Sequence, residues 1–279
     1  MDTDGYDLHT HSVCSDGTTT PTQNVRAAVA LGLGGLAITD HDTLDGVAEA
    51  LTAADGTGLE VVCGTEFSAE IDGASVHVLG YWVDGGHAPL ADELTRLRGE
   101  RTDRARRMVA RLNDVGVPVR IERVTELAAG APIGRPHVAQ AVVEVGAAET
   151  LGEVFDRYLA DGGVAYVEKH AVTPVVAVRL LIDAGGVAVL AHPGLYGVGD
   201  AGIADEVVEE LAAAGLAGVE ADHPDHHPDQ RRHFRDLAVG LGLEVTAGSD
   251  YHGDGKPNQL GSATTPRRVV ERLREHADA

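Results

Sequence analysis

Two histidines separated by one residue, His9 and His11, stand in the stretch Asp7-Leu8-His9-Thr10-His11-Ser12-Val13-Cys14-Ser15-Asp16-Gly17. Alternate residues of a strand share a face, so on a strand both rings aim at one point, as two ligands of one metal ion would. Asp16, reached through a short turn containing Ser15, can return a carboxylate to the same place. Imidazole is the commonest side-chain metal ligand, and carboxylate supplies hard oxygen. A single His-x-His fits two polar side chains facing water equally well. Here the pattern recurs. Apolar runs lead into Asp40-His41-Asp42, into Glu66, through His77, into Ala191-His192-Pro193, into Asp222-His223-Pro224 and into Gly248-Ser249-Asp250-Tyr251-His252. In α/β barrels the C-terminal strand ends form the active-site face, so this repetition points to one shared metal site.

The elements that must position these ends follow from periodicity. The mostly polar stretch 7–11 and short apolar runs at 35–39, 59–64, 75–83, 186–190, 216–220 and 243–247 read as strands. Segments 22–31, 43–54, 174–184, 204–214, 228–241 and 269–276 read as helices. Strands alternating with helices predict a largely parallel α/β sheet. From about Pro89 the character changes. Leu90, Leu94 and Leu97 repeat at helical spacing, the following stretch is rich in arginine, and 122–129, 137–145 and 151–159 read as helices. Residues 1–99 and 167–279 are therefore expected to form the barrel, and 100–166 a helical insertion covering the active site.

Composition narrows the function classes. With 44 acidic against 22 basic residues, the net charge of -22 opposes general attraction to nucleic-acid backbones or anionic membranes, so no stable binding of long nucleic acid is expected. Aromatic residues are 4% of the chain, so the core must be built mainly from Ala, Val and Leu. The two cysteines, Cys14 and Cys63, make neither a disulfide framework nor a zinc-finger spacing, and a reducing cytoplasm is expected. The N-terminal stretch is acidic and lacks the apolar core of a secretory signal. No apolar run approaches the roughly 18 residues of a membrane span.

In order, DLHTHSVCSDGTTTP, ITDHDT, GTEFS, HVLGY, IGRPHVA, AHP and GSDYHG resemble the PHP family, named for polymerase and histidinol phosphatase. The resemblance covers nearly the whole chain. The GRPH stretch within a helical insertion looks most like the subgroup that hydrolyses nucleoside 3′,5′-bisphosphates, some members of which also trim short RNA. The resemblance implies a distorted barrel of seven βα units holding two to three divalent ions. It assigns His9, His11, Glu66 and Asp250 to a first metal. Glu66 would bridge to a second, completed by His77 and His192, and Asp16, His41 and His252 would hold a third. Mixed imidazole and carboxylate ligands suit Mn, Zn or Fe. Three divalent ions against three carboxylates leave about +3 locally, enough to draw a phosphate into an acidic protein. Asp40 and Asp42 are expected to cap the next helix or orient the His41 ring.

The resemblance further implies catalytic roles for Glu66, Asp250 and His226, the last facing the substrate. It makes Arg135, His137, Lys169, His223 and His226 candidates for substrate binding, with Arg135 and Lys169 on the phosphate that does not react. His87, His170, His227, His233 and His276 read as surface residues, and Cys14 and Cys63 as small packing residues. The implied activity is metal-dependent release of the 3′-phosphate from a nucleotide such as pAp. Alternatives are 5′-3′ exoribonuclease action on short RNA, histidinol-phosphate phosphatase, or a metal-dependent binding module without turnover.

Overall fold

A computed structural model describes residues 4–128, 133–160, 162–168, 170–196 and 202–277, without the Arg101 side chain. The chain divides into two compact units, Met1–Leu94 with Ala171–Ala279, and Thr95–His170.

The chain opens with β1 (Gly5–Asp7), α1 (Pro21–Leu31) and β2 (Gly35–Ile38). Helix α1 starts where its residues dictate. The Thr20 hydroxyl accepts from the Gln23 amide, Gln23 accepts from the Thr20 amide, and Pro21 occupies the first turn. Next come α2 (Val47–Ala54), β3 (Glu60–Ile71) and β4 (Ala74–Tyr81). Helix α3 (Ala88–Asp114) spans the division between the units. The second unit continues with α4 (Ile121–Ala128), α5 (Arg135–Glu144) and α6 (Leu151–Val154), which runs into a π-helical turn at Phe155–Leu159. The segment 151–159, expected as one α-helix, therefore changes its hydrogen-bond period midway. This unit packs Met108, Leu112, Val124, Val138, Val142, Val154 and Leu159 into its own apolar core.

The first unit resumes with α7 (Pro174–Asp183), β5 (Val187–Leu190), α8 (Asp205–Ala213), β6 (Gly218–Asp222), α9 (Pro228–Gly240), β7 (Glu244–Ala247), β8 (Thr265–Pro266) and α10 (Arg267–Ala277). Its eight strands form one nearly closed sheet in the order β7-β6-β5-β4-β3-β2-β1-β8. Between β7 and β8, the Thr265 hydroxyl accepts from the Ala247 amide and donates to the Ala247 carbonyl, each at 2.8 Å.

The sheet is mixed, which corrects the expectation of a largely parallel sheet. The pairs β3–β4, β4–β5 and β1–β8 are antiparallel, and the rest are parallel. The cause is local. Asp72 and Gly73 both take positive φ, 50° and 81°, the geometry of a two-residue hairpin turn. Strand β3 therefore runs on past Gly64 to Ile71, and Glu66 sits inside a hairpin rather than at a strand end. Side chains of alternate residues share a face, so Glu66 and Ser68 on β3 stand with His77 and Leu79 on β4, their cross-strand partners.

Candidate metal centre

Each candidate ligand is delivered by a short segment whose own hydrogen bonds fix its direction. Beyond β1 the chain stays extended. The Thr10 hydroxyl donates to Ala37 O at 2.5 Å and its amide donates to the Thr39 hydroxyl at 3.0 Å. That anchors Thr10 to the sheet and turns His9 and His11 to the opposite side. Their Nε2 atoms come within 3.1 Å of each other. Gly248 lies against His9, where a Cβ would stand 2.3 Å from the His9 Cβ, so only glycine fits. Asp40 accepts from the Ser12 amide, the Ser12 hydroxyl and the Ser15 hydroxyl, all at 2.7 Å. Asp42 accepts from the amide and hydroxyl of Ser68 at 2.7 and 2.8 Å. The residue at the N-cap of α2 is Gly46, which has no side-chain cap. Asp40 and Asp42 thus tie ligand-bearing segments together, a role that the sequence did not suggest.

At the centre is Glu66, only 1% exposed. Its Oε2 lies 3.3 Å from His9 Nε2, 3.1 Å from His11 Nε2 and 3.1 Å from His41 Nδ1. Its Oε1 lies 2.8 Å from His77 Nδ1 and 3.0 Å from His192 Nε2. Asp250 Oδ1 stands 3.5 and 3.4 Å from the Nε2 atoms of His9 and His11. On the other side, Asp16 lies 3.2 Å from His252 Nε2 and 3.7 Å from His41 Nε2. All nine residues expected as ligands thus gather in one cluster.

The donors fall into overlapping groups able to hold an ion: His11, Asp16, His41 and His252; His9, Glu66 and His192; His9, His11 and Asp250; and His41, Glu66 and His77. The grouping differs in detail from the expected one, because His9 lies between two groups and His11 also joins Asp16. A further group of His223, Asp225 and Asp250 adds Asp225, which the sequence did not single out.

These residues fit a metal on the evidence of their own unsatisfied atoms. The Nδ1 atoms of His41, His77 and His192 and the Nε2 atom of His252 are buried without a hydrogen-bond partner. His41 and His77 approach Glu66 closely but not in hydrogen-bonding geometry. Orphaned buried polar atoms cost about 1–3 kcal/mol each unless something else satisfies them. Non-glycine residues with positive φ also cluster here: Asp42 at 54°, His192 at 22° and Asp250 at 52°. Such conformations cost of order 1 kcal/mol or more and gather at functional sites.

Electrostatics divides the histidines. Burial pushes His41 down to about 3 and His192 down to about 4, so both are neutral with lone pairs available. For His11, burial works in the same direction but hydrogen bonds to Asp250 and Glu66 outweigh it, raising the ring to about 9. His9 is raised likewise, against its burial, by Glu220, Glu66 and Asp250. Against their burial, facing imidazoles hold both carboxylates far below the usual range, those of His41, His77, His9 and His11 acting on Glu66 and those of His9, His11 and His223 on Asp250.

Glu220 was not anticipated. Both its carboxylate oxygens lie 3.1 Å from His9 Nδ1, and Oε2 accepts from the His192 amide at 3.0 Å. A carboxylate on the far nitrogen of a ligating imidazole fixes its tautomer and orientation. Tyr196, also unanticipated, accepts the His77 amide through its hydroxyl at 2.8 Å.

The residues expected at the substrate separate. His226 donates from Nδ1 to Ala221 O at 2.9 Å, and its Nε2 accepts from the Gly194 amide at 3.0 Å. Both nitrogens are engaged by backbone, so in this geometry His226 braces two loops and has none to offer a substrate, contrary to its expected role. His223 differs. Its Nδ1 accepts from the Asp225 amide at 3.2 Å, which leaves the proton of the neutral ring on Nε2. That Nε2 is buried, has no hydrogen-bond partner, and lies 3.5 Å from Asp250 Oδ2.

In the second unit, Arg135 opens α5 with its guanidinium 5.9 Å from the Phe155 ring centre. His137 Nδ1 accepts from the Gly134 amide at 3.0 Å and so helps cap the helix. Lys169 lies outside the described residues. His227 caps α9, and His233 pairs with Asp205 at 2.7 Å.

Comparison with known proteins places this site in a family. The PHP domain model matches residues 7–126. A 3′,5′-nucleoside bisphosphate phosphatase of Chromobacterium violaceum is 35% identical over 90% of this chain and 88% of its own. A 5′-3′ exoribonuclease of Haemophilus influenzae is 33% identical over 88% and 89%. A phosphoribosyl 1,2-cyclic phosphate 1,2-diphosphodiesterase of Eggerthella lenta is 34% identical over 88% and 94%. Among solved structures, a Bifidobacterium adolescentis protein assigned as a metal-dependent phosphoesterase superposes with a TM-score of 0.76 at 35% identity, covering 98% of this chain and 96% of that one. With a cluster of imidazoles and carboxylates at the centre of its sheet and relatives of this kind along almost its full length, the chain belongs to the PHP family and is a metal-dependent phosphoesterase.

Proposed function

We propose that the chain removes the 3′-phosphate from nucleoside 3′,5′-bisphosphates such as pAp. The observation that carries the hydrolytic chemistry is the buried Glu66 carboxylate with five imidazoles within 3.3 Å of it. His9, His11, Asp16, His41, Glu66, His77, His192, Asp250 and His252 would hold two to three divalent ions, of the Mn, Zn or Fe type. Such ions polarise a phosphoryl oxygen and lower the pKa of water to about 7. The chain's own part is positioning. Glu220 fixes the His9 ring, while Asp7, Asp40 and Asp42 lock together the segments that carry the ligands. Asp7 does so by accepting from the Ser249 and Gly261 amides at 2.9 and 2.8 Å. His223, expected with His226 among the substrate-binding residues, offers an Nε2–H hydrogen bond to the ester.

The choice of bisphosphate is supported by the Chromobacterium relative and by the Gly134-Arg135-Pro136-His137 stretch. Ions at the reacting phosphate cannot by themselves tell pAp from a monophosphate, so discrimination needs a cation for the second phosphate. A guanidinium grips phosphate through two parallel hydrogen bonds, which makes Arg135 the leading candidate, and the Lys169 ammonium is the second candidate by its charge. A second reading, short RNA, is favoured by the Haemophilus relative, and the Eggerthella relative adds a cyclic phosphodiester. Among the described residues no helix is long and apolar enough to cross a membrane.

The deciding experiment measures turnover of pAp, AMP, a dinucleotide, a cyclic phosphodiester and histidinol phosphate with Mn supplied, for the wild type and Arg135→Ala. Losing a charged hydrogen bond costs about 1.5–3 kcal/mol, roughly 10- to 150-fold. Arg135→Ala should lower kcat/KM for pAp by that factor and leave a generic aryl phosphate much less affected. Preference for the dinucleotide or the cyclic diester over pAp would replace the bisphosphate reading.

A further inference from the structure

We propose that Lys256 is a substrate-binding residue whose ammonium, together with the Nε2–H of His223, holds a phosphoryl oxygen of the ester being hydrolysed. This rests on the phosphoesterase activity and on Asp250 as a ligand, but not on which ester is the substrate.

Lys256 follows the short helical turn Gly253–Gly255 after β7. Its side chain is 41% exposed, yet Nζ reaches inward to Asp250 Oδ2 at 2.6 Å, where Asp250 is 3% exposed. The amine thus lies inside the cluster although its stem rises from the rim. His223 Nε2 stands 3.5 Å from the same oxygen. Two donors from different segments, one after β6 and one after β7, converge on a single anionic atom. Asp225 fixes the proton of the neutral His223 ring on Nε2 by donating its amide to Nδ1, so the ring presents a donor there and no lone pair.

The segment delivering Lys256 is held in place. The Asp254 amide donates to the Thr18 hydroxyl at 2.8 Å, and the Gly255 amide to His252 O at 3.3 Å. Gly253 takes φ 67°, and a Cβ on it would stand 2.2 Å from the Thr18 hydroxyl. The loop therefore packs closely on the one that carries Asp16. An ammonium has three donor hydrogens and Asp250 uses one. A carboxylate committed to a metal has less charge to offer the amine. In a phosphoesterase the anion available to these two donors is the phosphoryl group. An alternative is that Lys256 only neutralises Asp250, in which case it acts on metal affinity and is indifferent to phosphate.

The test uses the metal-loaded, full-length protein in wild-type, Lys256→Met and Lys256→Arg forms. Inorganic phosphate binding is measured by titration calorimetry, and metal content by elemental analysis of the same samples. Steady-state kinetics follow with an aryl phosphate. Lys256→Met should bind phosphate roughly 10- to 150-fold more weakly, the range for a lost charged hydrogen bond, at unchanged metal content. Its KM for the aryl phosphate should rise more than its kcat falls, and Lys256→Arg should recover most of the affinity. Wild-type phosphate affinity in Lys256→Met, or a loss no larger than its metal deficit explains, would overturn the proposal. So would full kcat/KM in Lys256→Met if phosphate bound to neither protein. Because phosphate and aryl esters lack a second phosphate, failure here is distinguishable from failure of the bisphosphate reading.

Discussion

The interiors of the two units are built on opposite terms. The first buries Asp7, His9, His11, Asp40, Glu66, Glu220, His223, Asp250 and His252, each at most 3% exposed, in the middle of its sheet. The second is filled by Val, Leu, Ala and Met, and among its described residues the one buried polar side chain is Glu100, paired with Arg107 at 2.8 Å. Burying charge is costly unless it is paired, and burying apolar surface is favourable at about 25 cal/mol per Å². A region that gives its centre to ionisable groups has thus given up packing that its neighbour retains. Chemistry and stability are therefore predicted to separate along this line.

The largest effect expected is on turnover. Glu66→Gln keeps the shape of the side chain but removes the charge on which five imidazoles converge. It should lower kcat at least about 100-fold with the fold intact by circular dichroism. Near-normal turnover would show that the centre is organised around some other group.

Leu112→Ala probes the other interior. Leu112 is fully buried in the apolar cluster of the second unit, where truncation commonly costs about 2–5 kcal/mol. Urea unfolding should report that loss while metal content per chain stays at the wild-type value. A variant that lost metal at unchanged unfolding free energy would erase the contrast between the units.

A smaller effect concerns pH. His11 is raised to about 9 because hydrogen bonds to Asp250 and Glu66 outweigh its burial. Unfolded, it titrates near the ordinary value of about 6.5. The native state binds the extra proton, so this stabilisation is fully present below about pH 6.5 and is lost as pH rises through about 9. Chelated protein should accordingly lose a few degrees of Tm between those limits, by scanning calorimetry. Metal-loaded protein should lack that decline, since metal ions displace the proton. A chelated protein whose Tm rose over the same interval would reverse the assigned sign.

Legibility differed along the same lines as the chemistry. His41, His192, Asp250 and His252 could be found because each is a chemically distinctive residue just past an apolar run, where strand periodicity sends it to one end of a sheet, and His9 and His11 because their spacing puts both rings on one face of an extended segment. Glu220 escaped notice because it sits between the buried Val219 and Ala221 and looks like an ordinary strand residue. Its signal was a carboxylate at an inward-facing position of an otherwise apolar strand. The β3–β4 hairpin was also within reach, since Asp72-Gly73 is a recognised hairpin pair, but the alternation of runs and helices suggested a parallel sheet instead. His223 and His226 were not separable from sequence, because which ring nitrogen is free depends on backbone amides from Asp225 and Gly194 that only the folded chain brings near. Lys256 likewise gains meaning only from its contact with Asp250.

The most direct test of the central claim joins metal content to activity in one preparation. The wild-type protein is stripped with chelator, reloaded with Mn, and assayed by elemental analysis and phosphate release on the same samples. Two to three ions per chain are predicted, with hydrolysis absent after stripping and restored as the ions return. Full phosphate release at a metal content near zero would contradict the account.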